Sequence, residues 1–164
     1  CERFEIEEYC KQNNIEARID RTNFENVYTR NKVRNIVIPY IKQEFNPNII
    51  QTMDRLSDLV KEEDEYLENV VETKYKEYVQ QESKTQIVMD LKGFNKEEKV
   101  IKSRLLLYTI SRLFGTTKEI KKIHIEDIIK LCEKNIGNKY LTPNKNIKVL
   151  VKNQKIYFID QNLV

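Results

Sequence analysis

The stretch NPNIIQTMDRLSDLVKEEDEYLENVVETKYKEYV, residues 46–79, decides the fold of this chain. Its apolar residues recur every three or four positions, a spacing that predicts one amphipathic α-helix. They are Ile49, Met53, Leu56, Val60, Leu67 and Val70, with Tyr75, Tyr78 and Val79 continuing the same face. Asn46 is suited to cap this helix, and Pro47 to occupy its first position. A helix of roughly 36 residues at 1.5 Å per residue exceeds the width of a small domain. We therefore predict a spine helix.

Shorter elements precede the spine helix. We predict a helix over residues 2–13, an extended piece over 15–20 and a second helix that begins near Phe24. Pro39 interrupts that second helix, because proline lacks an N–H group and clashes with the preceding turn.

Further helices and short strands follow the spine helix. A strand over 85–91 ends at Gly93, and Asn95 caps a helix over 96–114 that Gly115 stops. The remaining predicted elements are a helix over 125–135 and strands over 139–142, 147–151 and 155–159. The predicted fold class is mainly α-helical (α+β), with a small antiparallel β element.

Composition excludes several classes of protein. Among 164 residues, 34% are charged, and the chain has three Gly and three Pro, which excludes collagen-like and low-complexity chains. No apolar run is long enough to span a membrane, so we expect no membrane partner. Cys1, Cys10 and Cys132 lack a metal-binding spacing and fit reduced thiols better than disulfides or a zinc site. With no secretory leader in the sequence, we expect a cytoplasmic location.

The first residue, Cys1, allows two interpretations. A mature N-terminal cysteine can be the nucleophile of a self-processed amidohydrolase, but that class needs β-structure from its first residues. Here Cys1 instead opens a predicted amphipathic helix. The sequence therefore favours a boundary within a longer protein.

Charge is divided unevenly along the chain. Residues 1–91 hold 13 Lys/Arg against 19 Asp/Glu, a net charge of −6, whereas residues 92–164 hold 16 against 7, a net charge of +9. A basic half in a nearly neutral protein indicates one face turned toward a polyanion such as RNA or DNA. The alternative is that these lysines only keep the surface soluble.

Common catalytic motifs are absent, and one polar constellation stands out. His124 lies beside Glu126 and Asp127 at a helix start, where a capping or surface role is expected. The acidic run 62–65 points around a helix and cannot converge on one metal ion, so no metal site is predicted. The constellation of interest contains two arginines one helical turn apart, which can grip a phosphate or carboxylate. Its members are Asp20, Asn23, Arg30, Asn31 and Arg34.

The run DRTNFENVYTRNKVRNIVIPYIKQEFNPNI, residues 20–49, resembles the D-x-[ST]-N…Y-x-R-N-x-x-R…[IL]-P segment of the bacterial tRNA(Ile)-lysidine synthetases. RLSDLVKEEDEYLE resembles the long connecting helix of that family, and KYLTPNKNIKVLVKNQKIYFI resembles its C-terminal strand segment. Asn146 stands where the family usually has Gly. The family's Ser-Gly-Gly-x-Asp-Ser phosphate loop is missing from this sequence.

The resemblance implies a fragment of an ATP-dependent, AMP-forming ligase. That family adenylates the wobble cytidine of a minor tRNA(Ile), and the lysine amine then displaces AMP to form lysidine. ATP with Mg²⁺ would serve the full-length enzyme, with no cofactor and no activity expected for this fragment alone. Residues 1–44 would end the catalytic domain, and residues 45–164 would form a helical tRNA-recognition domain with a β-hairpin tail. A homodimer is compatible with the resemblance.

The resemblance also assigns roles to residues. Asp20, Asn23, Arg30, Asn31 and Arg34 match the polar segment that lines the catalytic cleft. The phosphate contacts to tRNA are expected from basic residues of the tRNA-recognition domain, namely Lys96, Lys99, Lys102, Arg104, Arg112, Lys118, Lys121 and Lys122. The competing hypothesis is a non-catalytic helical module that binds proteins or RNA.

Overall fold

The computed structural model describes residues 3–15, 26–134 and 139–162. Its helices are α1 (Arg3–Gln12), α2 (Thr29–Lys32), α3 (Ile38–Glu44), α4 (Ile49–Tyr78), α5 (Leu91–Lys96), α6 (Lys99–Phe114) and α7 (Lys122–Lys134). Its strands are β1 (Val79–Glu82), β2 (Gln86–Asp90), β3 (Lys139–Leu141), β4 (Ile147–Lys152) and β5 (Lys155–Asp160). The chain forms two compact units, Cys1–Asp58 and Leu59–Val164. The predicted mainly α-helical α+β class is confirmed.

The helix that the sequence predicts to be interrupted at Pro39 continues through this residue. α2 passes into a π-helical segment, Val33–Val37, which passes into α3, and the backbone stays helical throughout. The Ile38 N–H donates to the Val33 carbonyl, five residues back. A wider turn directly before a proline accommodates its ring, which would otherwise clash with the carbonyl four residues earlier. The predicted interruption is therefore one wide turn.

The spine helix α4 is 30 residues long, which corresponds to about 45 Å at 1.5 Å per residue. The Asn46 side chain accepts from the Asn48 N–H at 2.9 Å just before α4 begins, as expected for a capping residue. Its apolar stripe changes environment along its length. Val71, Tyr75 and Tyr78 are buried at the C-terminal end, whereas residues 51–63 are exposed, including Met53, Leu56, Leu59 and Val60.

The second unit is built on a five-stranded antiparallel sheet of order β1-β2-β5-β4-β3. Alternate side chains of β4 and β5 are buried, as the period of a strand requires. Those on the inner face, such as Val149, Ile156 and Phe158, join side chains of α5, α6 and α7 in one hydrophobic core. The three predicted C-terminal strands are confirmed.

Two features of the second unit differ from the sequence prediction. Val79 begins β1 and does not extend the spine helix. The helix predicted over 96–114 begins three residues later, at Lys99, as α6, and a separate helix that was not predicted, α5, precedes it. Glu97 and Glu98 between them are extended, with ψ of 153° and 154°. The Glu97 carboxylate accepts hydrogen bonds from Tyr78 and Lys74, which holds it outside any helix. The predicted cap Asn95 lies inside α5 and donates to the Cys132 carbonyl at 3.0 Å.

The start of α5 depends on Asp90. Its Oδ2 accepts from the Gly93 N–H at 2.6 Å, which satisfies one of the N–H groups that a helix leaves without an intrahelical partner. Gly93, predicted to close a strand, instead lies in the first turn of α5. Gly115, with φ of 71°, ends α6 in the left-handed conformation, as predicted.

Candidate functional site

The two arginines of the polar constellation lie one turn apart in the first unit. Arg30 is in α2, and Arg34 is in the π-helical segment that follows. Both side chains are exposed. Within residues 3–15, 26–134 and 139–162, neither guanidinium forms an ion pair. The sequence-based prediction requires arginines that are not already paired locally, and this geometry meets that requirement.

The other members of the constellation differ in environment. Asn31, between the arginines, is buried at 8% exposure and makes contacts of its own, whereas both arginines are exposed. Asn35 donates from Nδ2 to Asn26 Oδ1 at 3.1 Å and ties the helix to the segment before it. Asp20 and Asn23 lie outside the described residues. The structure therefore brings Arg30, Asn31 and Arg34 together on one helical segment.

Five of the eight predicted tRNA-binding cations have carboxylate partners in the second unit. Arg104 pairs with Asp64, and Arg112 Nη2 lies 2.9 Å from Glu82 Oε1. The first pair is half-buried and the second is exposed. Ion pairs at the surface contribute little stability, about 0–1 kcal/mol, so a phosphate can displace the carboxylate. The same holds for Lys99 and Lys122, whose Nζ atoms each lie 4.0 Å from Glu126 Oε1.

Lys102 is a different case. Its side chain is 9% exposed, and its Nζ lies 3.0 Å from Glu133 Oε1. Withdrawing this ammonium to contact a phosphate would leave the Glu133 carboxylate without its partner. Lys96, Lys118 and Lys121 are exposed and form no ion pair within the described part of the chain. Lys96, at the end of α5, and Lys118 and Lys121, in the connection between α6 and α7, are therefore the predicted cations most available to a polyanion.

A cluster of ionisable side chains joins the end of α4 to the α5–α6 junction. The Tyr78 hydroxyl donates to Glu97, and Lys74 Nζ lies 3.1 Å from Glu97 Oε1 and 3.2 Å from the Tyr78 oxygen. Burial disfavours the Glu97 carboxylate, but the hydrogen bonds from Tyr78 and Lys74 outweigh that effect and lower the Glu97 pKa. Burial raises the pKa of Tyr78. Lys74 also donates to Glu77 Oε2 at 3.2 Å. These groups are engaged with one another in the folded chain, which indicates a structural role.

The single histidine and the buried cysteine also have structural roles. His124 Nδ1 accepts from the Lys121 N–H at 3.3 Å at the start of α7, which confirms the expected capping role. Cys132 is fully buried, and this burial raises the pKa of its thiol to about 12. A thiol that is protonated at neutral pH is a poor nucleophile and a poor metal ligand. Cys1, the alternative nucleophile, lies outside the described residues.

Sequence reasoning missed one surface, the outer face of the sheet. Residues opposite one another in an antiparallel sheet lie on the same face. The registers therefore align Val88, Tyr157, Leu150 and Tyr140 in one row, flanked by lysines of β4 and β5. These lysines are Lys148, Lys152 and Lys155. The alternation in IKVLVK and KIYFID is a signal that could have revealed this surface.

These observations define a class of protein. The described residues form an α+β chain whose distinctive side chains are exposed cations. Among the residues that the structure describes, no group of three or more His, Cys, Asp or Glu side chains could hold a metal ion. None of the described helices combines the length and apolarity that crossing a membrane requires. The class is that of an α+β chain with unpaired cations on the surface of its described residues.

Sequence comparisons place the chain more closely. It is 39% identical over 163 residues, 99% of its length, to the tRNA(Ile)-lysidine synthase of Clostridioides difficile (strain 630). It is 37% identical over 148 residues to the enzyme of the same name from Clostridium tetani, and 26% identical over 149 residues to that of Geobacillus kaustophilus. The chain spans about a third of these relatives, namely 35%, 31% and 32% of their lengths. No protein-family model matches it. The chain is thus homologous to a segment of the tRNA(Ile)-lysidine synthases, and the resemblance seen in the sequence is confirmed.

Proposed function

We propose that this chain is the segment of a tRNA(Ile)-lysidine synthase that completes the active-site wall and binds tRNA. Residues 1–44 contribute to the wall, and residues 45–164 bind the tRNA. The observation that carries the proposal is homology over 99% of the chain to an enzyme of that name. It is supported by two exposed arginines at the matching polar segment, neither of which has an ion pair in the described residues. The partners of the complete enzyme are tRNA(Ile), lysine and ATP, and its location is the cytoplasm.

The arginines would act on the phosphates of the nucleotide. ATP supplies the adenylyl group that activates the wobble cytidine, which the lysine amine then attacks with loss of AMP. Negative charge on the phosphate oxygens must be stabilised during adenylation, and guanidinium groups that are already in place do this without reorganisation. Arg30 and Arg34 fit this role because no carboxylate in the described residues neutralises either one. Asp20 and Asn23 would hold the adjoining loop or a polar substrate group.

Magnesium is not assigned to this segment. Magnesium prefers oxygen ligands and commonly uses one or two carboxylates together with substrate phosphates. The described residues bring no three metal-ligating side chains together. In our proposal ATP and Mg²⁺ serve the complete enzyme, and no side chain of this segment is assigned to the ion.

The second unit would bind the sugar–phosphate backbone of the tRNA. Lys96, Lys118 and Lys121 are exposed, and the weakly held pairs of Lys99, Arg104, Arg112 and Lys122 can open toward phosphates. Side chains cannot enter the deep, narrow major groove of A-form RNA, so this interaction recognises shape and charge more than sequence.

Filter binding of a tRNA(Ile) transcript to the 164-residue chain across a salt series tests the proposal. We expect affinity to fall steeply with salt, because each phosphate contact releases a counterion. We also expect no lysidine when ATP and lysine are added to the chain alone, whereas the complete enzyme makes it. Salt-independent binding would refute the electrostatic interaction with tRNA. Lysidine formation by the chain alone would refute the proposal that the chain is only a segment of the enzyme.

One observation favours the alternative function, a helical module that binds other proteins. The N-terminal half of α4 exposes Met53, Leu56, Leu59 and Val60, each more than half accessible at 53–59%. An exposed apolar stripe of this kind marks protein contacts. If the chain failed to bind tRNA at low salt but Leu56→Asp abolished capture of a protein partner, the alternative would replace the proposal.

A further inference from the structure

The outer face of the sheet carries an excess of positive charge in the described residues, three lysines against one carboxylate. Lys148, Lys152 and Lys155 lie on β4 and β5, and none of them forms an ion pair within the part of the chain that the structure describes. One carboxylate, that of Asp90, lies opposite Lys155 in the register. Its Oδ2 is engaged by the Gly93 N–H at 2.6 Å, as the cap of α5. The face therefore differs from the described helices of the second unit, where most cations are paired.

The same face presents two aromatic rings. Tyr140 is 57% exposed, and Lys148 Nζ lies 4.5 Å from the centre of its ring. Tyr157 lies in the same row, with Leu150 between the two tyrosines. Neighbouring strands are about 4.8 Å apart, so the two tyrosine backbones are separated by about 9.6 Å. Two rings at this separation can each stack against a base of one extended, unpaired nucleic-acid chain.

The apolar residues of this face lie outside the core cluster, although Val88 is itself buried at 3% exposure. Val88, Leu150 and Ile159 are absent from the described hydrophobic cluster that joins the inner face to α5, α6 and α7. Leu150 lies opposite both tyrosines in the registers, and Ile159 lies opposite Lys148. Both side chains are partly accessible. The result is a flat, partly apolar surface edged by ammonium groups.

We infer that this outer face binds unpaired RNA nucleotides, with Lys148, Lys152 and Lys155 on phosphates and Tyr140 and Tyr157 stacked against bases. Aromatic side chains stack on unpaired bases, while base pairs inside a duplex are shielded. A protein partner is the weaker choice, because lysine is depleted at protein–protein interfaces. The inference rests on the proposed tRNA binding and deepens it, since it adds a second RNA-binding surface to the one formed by the cations of α5, α6, α7 and the connection between α6 and α7.

The test compares variants of the 164-residue chain by fluorescence anisotropy with three RNA probes. The probes are a labelled unstructured ten-nucleotide RNA, a blunt RNA duplex and the tRNA(Ile) transcript. Tyr140→Ala should weaken binding of the unstructured RNA at least about fivefold, since stacking on one ring is worth that much or more. It should change duplex binding little, and Tyr140→Phe should bind like the parent chain. Tyr157→Leu, which keeps an apolar side chain at a half-buried position, should also weaken binding of the unstructured RNA.

Two double variants that remove the same charge distinguish binding at this face from general electrostatic attraction. Lys148→Gln with Lys152→Gln should reduce the slope of log affinity against log salt by about 1.4, because each phosphate of single-stranded RNA that is no longer neutralised lowers the slope by about 0.7. Lys84→Gln with Lys92→Gln removes the same charge from exposed sites that are not on this face, and it should leave the slope nearly unchanged.

Several results would overturn the inference. One is equal binding of the unstructured RNA by all variants. A second is equal weakening for duplex and unstructured RNA on changing Tyr140, and a third is no binding of the unstructured RNA by the parent chain. If the parent chain still bound tRNA with a steep salt dependence in these cases, the proposed function would stand without this surface. If it bound no tRNA, both would fail.

Discussion

At the scale of single residues, Gly93 is confined by the ring of Tyr78. A Cβ atom at position 93 would lie 2.5 Å from two carbons of that ring. Tyr78 is 7% exposed and held by Glu97 and Lys74, so the ring has little freedom to retreat. Gly93→Ala should therefore destabilise the fold by about 1–3 kcal/mol, the usual cost of overpacking.

Urea denaturation measures this change in stability. Lys92→Ala, at the exposed neighbouring position, is the control and should change stability by less than about 0.5 kcal/mol. Combining Gly93→Ala with Tyr78→Leu should cost less than the sum of the single changes, because the smaller side chain removes the clash. Strict additivity would show that the clash is not the cause.

Glu97 gives the fold a pH dependence with a definite sign. Its pKa in the folded chain lies below the ordinary value of 4.5, because the hydrogen bonds from Tyr78 and Lys74 outweigh burial. A depressed folded pKa contributes stability above the unfolded pKa, and this contribution is lost as the pH falls through the folded pKa. The stability difference between the parent chain and Glu97→Gln should therefore be constant near neutrality and shrink below about pH 4.5.

Unfolding free energies measured between pH 7 and pH 3 check this expectation. The exposed Glu98→Gln serves as the control and should follow the parent chain. A difference between the parent chain and Glu97→Gln that stayed the same down to pH 3 would show that Glu97 does not titrate as described.

At the scale of elements, α5 depends on the cap at Asp90. Asp90→Ala removes the acceptor of the Gly93 N–H and should cost about 1 kcal/mol of stability. Asp90→Asn keeps an oxygen acceptor and should retain most of that stability. Thermal unfolding followed by circular dichroism distinguishes the two variants, and an equal effect in both would attribute the change to charge instead of capping.

Prediction from sequence succeeded where one local signal dominates. The three-and-four spacing from Ile49 to Val70 predicts the spine helix, and Gly115 predicts the end of α6. It failed where distant residues decide the local structure. Glu97 leaves the helix because Tyr78 and Lys74, about twenty positions earlier, engage its carboxylate. The wide turn before Pro39 likewise depends on backbone geometry that composition does not encode.

The candidate surfaces divide in the same way. Arg30 and Arg34 could be found in the sequence because both lie on one short helical stretch. The outer face of the sheet could not be assembled so easily, because Tyr140 and Tyr157 meet only once the registers of β3, β4 and β5 are known. The pairing of Lys102 with Glu133 also spans two helices, and it removes from solvent a lysine that the sequence presented as exposed.

At the scale of the whole molecule, our proposal assigns different steps to the two units. In the complete synthase, Arg30→Ala or Arg34→Ala should lower the rate of tRNA-dependent ATP–pyrophosphate exchange about a hundredfold, the effect typical of removing one preorganised charge-stabilising donor. The dissociation constant for tRNA should stay nearly the same, because the arginines act on the nucleotide. Arg55→Ala removes another exposed guanidinium that has no ion pair in the described residues, and it should leave both quantities unchanged.

Charge reversal in the second unit should have the opposite effect. Lys96→Glu, Lys118→Glu and Lys121→Glu together should raise the dissociation constant for tRNA about tenfold or more and flatten its salt dependence, because fewer phosphates are then neutralised. The exchange rate at saturating tRNA should remain near that of the parent enzyme, since nothing that touches the nucleotide has changed. The two sets of variants therefore separate binding from chemistry. If both sets altered the same parameter by the same factor, the division of labour between the units would be wrong, even though the homology would remain.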